Sequence, residues 1–301
     1  MKVLVTGAGG LLGGEVVRVA RERSWEVLAM DRAALDVTDS EAVRTALEGA
    51  QPRAVIHCAA YTAVDRAESE PEVAHAVNAE GAGHVARAAS AVGAHVAYVS
   101  TDYVFDGTGD RPYLPGDPTG PLSVYGRTKL AGEAAVRDAS IDALVVRTSW
   151  LYGDGRGFVP AILRLAESGE PLRVVSDQRG RPTHAHQAAV GILDLLVYGA
   201  RGIWHVAGGG ECTWYELATA ALELRGVDAD VERVTGAEFG AAAPRPAYSV
   251  LDLAATEAML GRRMADWRHV LATFLNEEGQ DDHDSAHAAP GRGSDSSEGR
   301  T

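Results

Sequence analysis

Two side chains in the stretch "SVYGRTKLAGE" have types and spacing suited to proton chemistry. Tyr125 and Lys129 stand four residues apart, and Lys129 is one of only two lysines in a chain that otherwise uses arginine. On a helix, residues i and i+4 share a face one turn apart. A free tyrosine has a pKa of about 10. An ammonium beside it favours the phenolate, so the spacing predicts that Lys129 lowers the Tyr125 pKa toward the working range. Arginine would deliver its charge through a wide planar fork and is not a neutral replacement for lysine. Some 24 residues upstream, "VSTDYVFDG" carries Ser100 and Thr101 at the end of an apolar run. A hydroxyl there can donate a hydrogen bond to a carbonyl. A hydroxyl, a phenol and an amine together predict a ketone-reducing site.

A second pattern lies at the other end of the chain. "VTGAGGLLGGE" places Gly7, Gly10 and Gly13 at G-x-x-G-x-x-G spacing, with Leu11 and Leu12 between the last two. The pattern follows a strand-like run and opens a helix-like one, the context that gives an otherwise weak glycine motif its meaning. Glycine permits the tight turn and lets backbone N–H groups approach a pyrophosphate, which the helix N-terminus also attracts. Asp31 closes the next apolar run, where a carboxylate can hold adenosine ribose hydroxyls. Arg32 beside it is placed to receive a 2′-phosphate instead. Asp36 and Val37 in "ALDVT" are placed to meet the adenine, or to face solvent. NADH and NADPH both stay open as cofactors.

The elements that must position these residues alternate. "KVLVTG", "EVLAMD", a short "AALDV", "AVIHCAA", "HVAYVST" and "ALVVRTS" read as six strands. Helices are expected from Leu12 to Ser24, over 39–50, from Pro71 to Val92 and from Tyr125 to Ala139. Continuous apolar strands joined by helical crossovers imply a parallel sheet. The fold class is therefore α/β, a doubly wound Rossmann-type sheet with a smaller C-terminal lobe. The first 150 residues form the dinucleotide-binding part. "LRVVSD" and "GIWHVAG", within 172–208, are expected to return to its sheet. Residues 151–276 supply most of a discontinuous substrate lobe, with helices near 158–168, 186–198 and 213–225. From Glu277 the acidic, Ser/Gly-rich composition predicts a disordered tail over 277–301.

Together these motifs resemble the extended short-chain dehydrogenase/reductase superfamily. Within it, "HCAAYTAVDRAESEP", "STDYVFDG", "YGRTKLAGE", "RTSWLYG", "DQRGRPT", "WYELA" and "RPAYSVLD" are similar to the dTDP-4-dehydrorhamnose reductase family over about residues 1–275. The resemblance implies NAD(P)H-dependent reduction of a 4-keto group on a nucleotide-linked deoxyhexose. It implies that Thr101 binds the keto oxygen, Tyr125 protonates it, and Lys129 holds the nicotinamide ribose. It also implies that Ala59, Ala60, Tyr61 and Thr62 line the cofactor, and that Asp102 and Trp150 contact the sugar. Two departures stand out. Gly157 precedes Phe158 where members commonly carry Asn. Gln187 stands where an acidic residue is usual, so the magnesium site of some members is possible but not supported. A 4-epimerase, a related deoxysugar reductase and a non-catalytic dinucleotide-binding subunit are the alternatives.

Composition narrows the partners. The net charge is -14, which disfavours nucleic acid and anionic lipid. No stretch approaches about 18 apolar residues and no leader pattern is visible. A soluble cytoplasmic protein acting on a small molecule, as monomer or homodimer, is expected. Cys58 and Cys212 form no CxxC pair, and Cys58 reads as a buried apolar thiol. His184 and His186 read as loop residues without further metal ligands.

Overall fold

A computed structural model describes residues 1–287 apart from Glu170, with backbone course alone for 278–287. The chain begins with β1 (Lys2–Thr6), α1 (Leu11–Glu22), β2 (Glu26–Met30), α2 (Ser40–Ala50) and β3 (Ala54–His57). Then come α3 (Gly81–Ala91), β4 (His95–Thr101), α4 (Val124–Ala139) and β5 (Leu144–Thr148). The later part holds α5 (Phe158–Ala166), α6 (Ala185–Val197), β6 (Gly202–His205), α7 (Trp214–Arg225) and α8 (Trp267–His287). The six strands form one sheet in the order β6-β5-β4-β3-β1-β2, and every pairing in it is parallel.

Burial explains why these runs form strands. Val3 and Val5 face one core cluster and Leu4 the other, all fully buried. Each such side chain contributes roughly 1.5–3 kcal/mol when removed from water. In α1, Leu12, Val16, Val19 and Ala20 recur at helical spacing and are buried. They pack with Ala188, Ile192 and Leu195 of α6 in the same cluster. A third cluster, with Tyr152, Ile162, Leu217, Trp267, Leu271 and Phe274, lies in the later part of the chain.

Four expectations differ from the structure. "AALDV" makes no strand. The Asp31 carboxylate accepts the Ala34 N–H at 2.9 Å, and that of Asp36 accepts the Thr38 N–H at 2.9 Å and hydroxyl at 2.8 Å. These local bonds compete with a ladder, while Leu35 and Val37 still bury themselves in the core. "LRVVSD" does not return to the main sheet: Leu172–Val175 pairs in parallel with Val231–Val234, and only "GIWHVAG" rejoins it, through β6 beside β5. The helix from Pro71 is divided, with a π turn at Ala76–Glu80 between Pro71–His75 and α3. The tail expected from Glu277 starts inside α8, which runs to His287. Residues 288–301 lie outside the described residues.

Candidate active site

Chain order reverses in the sheet between β1 and β3, and open α/β sheets bind ligands at such a switch point, beyond the carboxyl ends of the strands. A cleft of about 820 Å³ opens there. Its wall contains Gly7, Gly10, Leu11, Leu12 and Gly13 at the glycine turn, and Asp31, Arg32, Asp36 and Val37 after β2. It also contains Ala59, Ala60, Tyr61 and Thr62 after β3, and Ser100, Thr101 and Asp102 at the end of β4. Tyr125, Lys129 and Trp150 complete the set. Every residue that motif or resemblance singled out for the site therefore lines one cavity.

The glycine turn fits a dinucleotide. Gly7 has φ +68°, and a Cβ on it would stand 2.5 Å from the Ala59 nitrogen. A Cβ on Gly13 would meet the Gly7 carbonyl oxygen at 2.1 Å. Gly10 caps α1 without a side-chain hydrogen bond, leaving the N-terminal N–H groups of a twelve-residue helix to an anion. Gly13→Ala should therefore push α1 from β1. Overpacking of this kind costs about 1–3 kcal/mol of folding stability, and the displaced turn should bind the dinucleotide more weakly than wild type. Fluorescence titration with NADPH measures it.

At the other end, the N-cap Ser123 accepts the Gly126 N–H at 3.1 Å and starts α4 one residue before Tyr125. The Thr101 hydroxyl lies close enough to the Tyr125 phenol to draw its pKa down, and the Tyr103 ring packs edge-on at 6.0 Å between centroids. Lys129 is buried; its Nζ donates to the Val99 carbonyl at 2.6 Å and lies 4.2 Å from the Tyr98 ring centroid. Burial pushes the Lys129 ammonium down to about 7, while Glu133 opposes that fall. The expected lowering of Tyr125 is not found. Burial pushes the phenol up to about 12, the Thr101 hydroxyl pulls the other way, and Asp102 adds to the rise. Desolvation of the phenolate outweighs an ammonium directed at a carbonyl and a neighbouring ring.

Ser100 donates to the buried Glu133 Oε1 at 2.6 Å, whereas the Thr101 hydroxyl donates to Asp102 Oδ1 at a longer 3.1 Å and lies beside Tyr125, the better position of the two to meet a carbonyl. Trp150, with φ +47°, lays its indole on that of Trp214 at 3.5 Å and 7°. Trp214 also lines the cleft but carried no motif in the sequence beyond "WYELA". Its place is set by a capping box, in which Thr213 Oγ1 accepts the Glu216 N–H at 3.1 Å and Glu216 accepts the Thr213 N–H at 2.7 Å. Asn78 in the π turn, also missed, accepts the Tyr61 N–H at 2.8 Å and donates to Thr128 Oγ1 at 3.0 Å. An asparagine among the apolar positions of the helix expected from Pro71 was the available signal.

The departures have physical content. Gly157 has φ +89° and ψ -173°, a region nearly closed to side chains, so this chain shapes the cleft wall there with backbone. Gln187 donates to the Ala265 carbonyl at 3.1 Å. His184 and His186 sit at a strand-to-helix junction rather than in a loop. His186 Nδ1 lies 2.7 Å from Arg18 and 3.3 Å from Glu15. Among the described residues, no group of three or more His, Cys, Asp or Glu is arranged to hold a metal ion. Cys58 and Cys212 are free; Cys58 is half-buried, packed against the core and bordering the cleft, with its thiol pushed up to about 12 by burial.

Comparison with known proteins agrees with this geometry. The RmlD substrate binding domain family matches residues 1–279. The chain belongs to that family. It is 45% identical over 276 residues to the dTDP-4-dehydrorhamnose reductase of Streptomyces griseus, covering 89% of this chain and 91% of that one. Among solved RmlD-family structures, a dTDP-4-dehydrorhamnose reductase from Clostridium acetobutylicum superposes with a TM-score of 0.90 at 38% identity, covering 93% of this chain and all of the other. The Bacillus anthracis enzyme in complex with NADP gives 0.88 at 37%, covering 92% of this chain and 100% of that one. Among the described residues, no helix of this RmlD-family chain is long and apolar enough to cross a membrane.

Proposed function

We propose that the protein reduces the 4-keto group of a dTDP-4-dehydro-6-deoxyhexose with NADPH or NADH. The favoured conversion is dTDP-4-dehydro-L-rhamnose to dTDP-L-rhamnose, following the names of its relatives. The observation that carries this reading is the meeting of Thr101, Tyr125 and Lys129 at the end of the cleft that begins at the glycine turn. The glycine turn would hold the cofactor diphosphate, Asp31 and Arg32 the adenosine end, and Lys129 the nicotinamide ribose. When bound, NAD(P)H supplies the hydride.

The chain's own groups do the rest. Negative charge grows on the ketone oxygen as the carbon is reduced. Thr101 donates a hydrogen bond to that oxygen and Tyr125 gives it a proton. The raised phenol pKa keeps Tyr125 loaded with that proton through the neutral range. General acid assistance of this kind contributes typically about 10²–10⁴ in rate. The stacked Trp150 and Trp214 offer a flat wall to a hexose, and residues 151–276 are read as mostly the substrate lobe. The place of action is read as the cytoplasm, with the protein a monomer or homodimer.

Purified protein given NADPH and dTDP-4-dehydro-L-rhamnose should oxidise one cofactor per dTDP-L-rhamnose formed. Interconversion of sugars without net cofactor consumption would indicate an epimerase. Dinucleotide binding with no oxidation of NADPH by any dTDP-4-keto sugar would indicate a binding subunit. Either result would overturn the proposal.

A further inference from the structure

Asp102 has the least expected surroundings in the cleft. Its side chain is buried directly after Thr101. The groups that do most to stabilise its charged form are the Ser249 and Thr101 hydroxyls and backbone N–H donors. Its two oxygens have separate partners. Ser249 Oγ donates to Oδ2 at 2.6 Å, and Thr101 Oγ1 donates to Oδ1 at 3.1 Å. Thr101 Oγ1 also accepts the Tyr103 N–H at 3.2 Å and lies close to the Tyr125 phenol.

A hydroxyl has one proton to give. While Asp102 is a carboxylate it only accepts, and it draws the Thr101 proton toward Oδ1, away from a ketone. A neutral carboxyl is itself a donor and leaves that proton free. Ser249 is well placed to bias this choice, because its segment is tied down at two points. Arg245 grips Asp65 with bonds of 3.0 and 2.7 Å, and the Ser249 N–H donates to the Arg179 carbonyl at 2.9 Å.

We infer that Asp102 is a positioning residue that works as a neutral carboxylic acid, freeing the Thr101 hydroxyl for the ketone, and that Ser249 sets the pH range in which it does so. The inference rests on the reductase reading of the site. Burial pushes the Asp102 carboxyl up to about 7, against the pull of the Ser249 and Thr101 hydroxyls. The titratable groups facing it are Tyr103 and Tyr125, and the Arg245 guanidinium acts on Tyr103. Asp102 is neutral below about 7 and ionised above it, so turnover declines as pH rises through that value. Ser249 stabilises the ionised form. Its removal therefore preserves the neutral acid to higher pH.

The test is the pH profile of kcat for wild type, Ser249→Ala and Asp102→Asn, joined to infrared difference spectra of wild type minus Asp102→Asn across the same range. The alkaline limb should move up by about one pH unit in Ser249→Ala, given the typical strength of a hydrogen bond to a charged group. It should vanish in Asp102→Asn. The neutral-carboxyl band should disappear with rising pH in wild type, and later in Ser249→Ala. A serine that merely supports the fold would lower kcat at all pH values without moving the limb. Ser249→Cys, a weaker donor of similar size, serves if the alanine variant does not fold, with displacement in the same direction. A limb that stays in place, or that survives in Asp102→Asn and so belongs to Lys129, overturns the inference, as does the absence of the band. A band that titrates as described in a protein with no turnover supports the proton assignment and removes the reductase reading instead.

Discussion

Tyr125→Phe lowers kcat by about 10²–10⁴-fold, the usual contribution of a positioned general acid, and leaves NADPH affinity near that of the wild type. The change removes one oxygen and keeps the ring, so the edge-on contact with Tyr103 at 6.0 Å is retained. The phenol is pushed up to about 12, so at neutral pH it is a proton donor in nearly every molecule. Its loss leaves Thr101 as the hydroxyl facing the ketone, which accounts for a residual rate rather than none. Single-turnover kinetics with pre-bound NADPH separate this loss from slow product release. A variant that turns over within about threefold of wild type contradicts the assignment, since such a change lies below the range of general acid catalysis.

Glu133→Gln has the largest expected effect on stability. Glu133 and Arg147 are 3% and 2% exposed and joined at 2.7 Å, with a second bond at 2.9 Å from Arg147 Nε. Ser100 donates to the same carboxylate, and the guanidinium lies 5.0 Å from the Phe105 ring centroid. Removing one charge leaves the other buried without compensation, at a cost of about 3–5 kcal/mol. For a chain of this size that lowers Tm by roughly 5–8 °C, measurable by calorimetry. The same carboxylate holds the Lys129 pKa up, so its loss lets the ammonium deprotonate at lower pH and weakens whatever Lys129 holds. Replacing the pair together, Glu133→Leu with Arg147→Met, should recover most of the stability, because a buried ion pair is often no better than a well-packed apolar one. A drop in Tm below about 2 °C in Glu133→Gln would mean that Arg147 reaches another counter-charge or water.

The parts of the site legible in the sequence are those set by short-range geometry. The i,i+4 spacing of Tyr125 and Lys129 and the strand–glycine turn–helix succession both lead to positions on one cleft wall. What could not be read there depends on contacts between distant segments. Ser249 meets Asp102 across 147 residues and Arg245 meets Asp65 across 180; neither leaves a local pattern. Trp214 is fixed by a capping box that the sequence does display, but its stacking on Trp150 is tertiary. The "AALDV" segment was misread because its apolar residues are buried as a strand's would be, while Asp36 turns the backbone. The acidity of Tyr125 was misjudged for a related reason. Four residues place two side chains on one face, but they do not fix where Nζ points, and Val99 claims it.

The central claim is that a ketone is delivered to Tyr125 beside a bound nicotinamide. Transfer from NADPH deuterated at the nicotinamide C4 tests it most directly, with dTDP-4-dehydro-L-rhamnose as acceptor and the product analysed by NMR. The account predicts one deuterium at C4 of the deoxysugar in wild type, and a correspondingly slow appearance of the same label in Tyr125→Phe. A product that carries no deuterium at C4 from both stereoisomers of the labelled cofactor, although the cofactor is consumed, would contradict it.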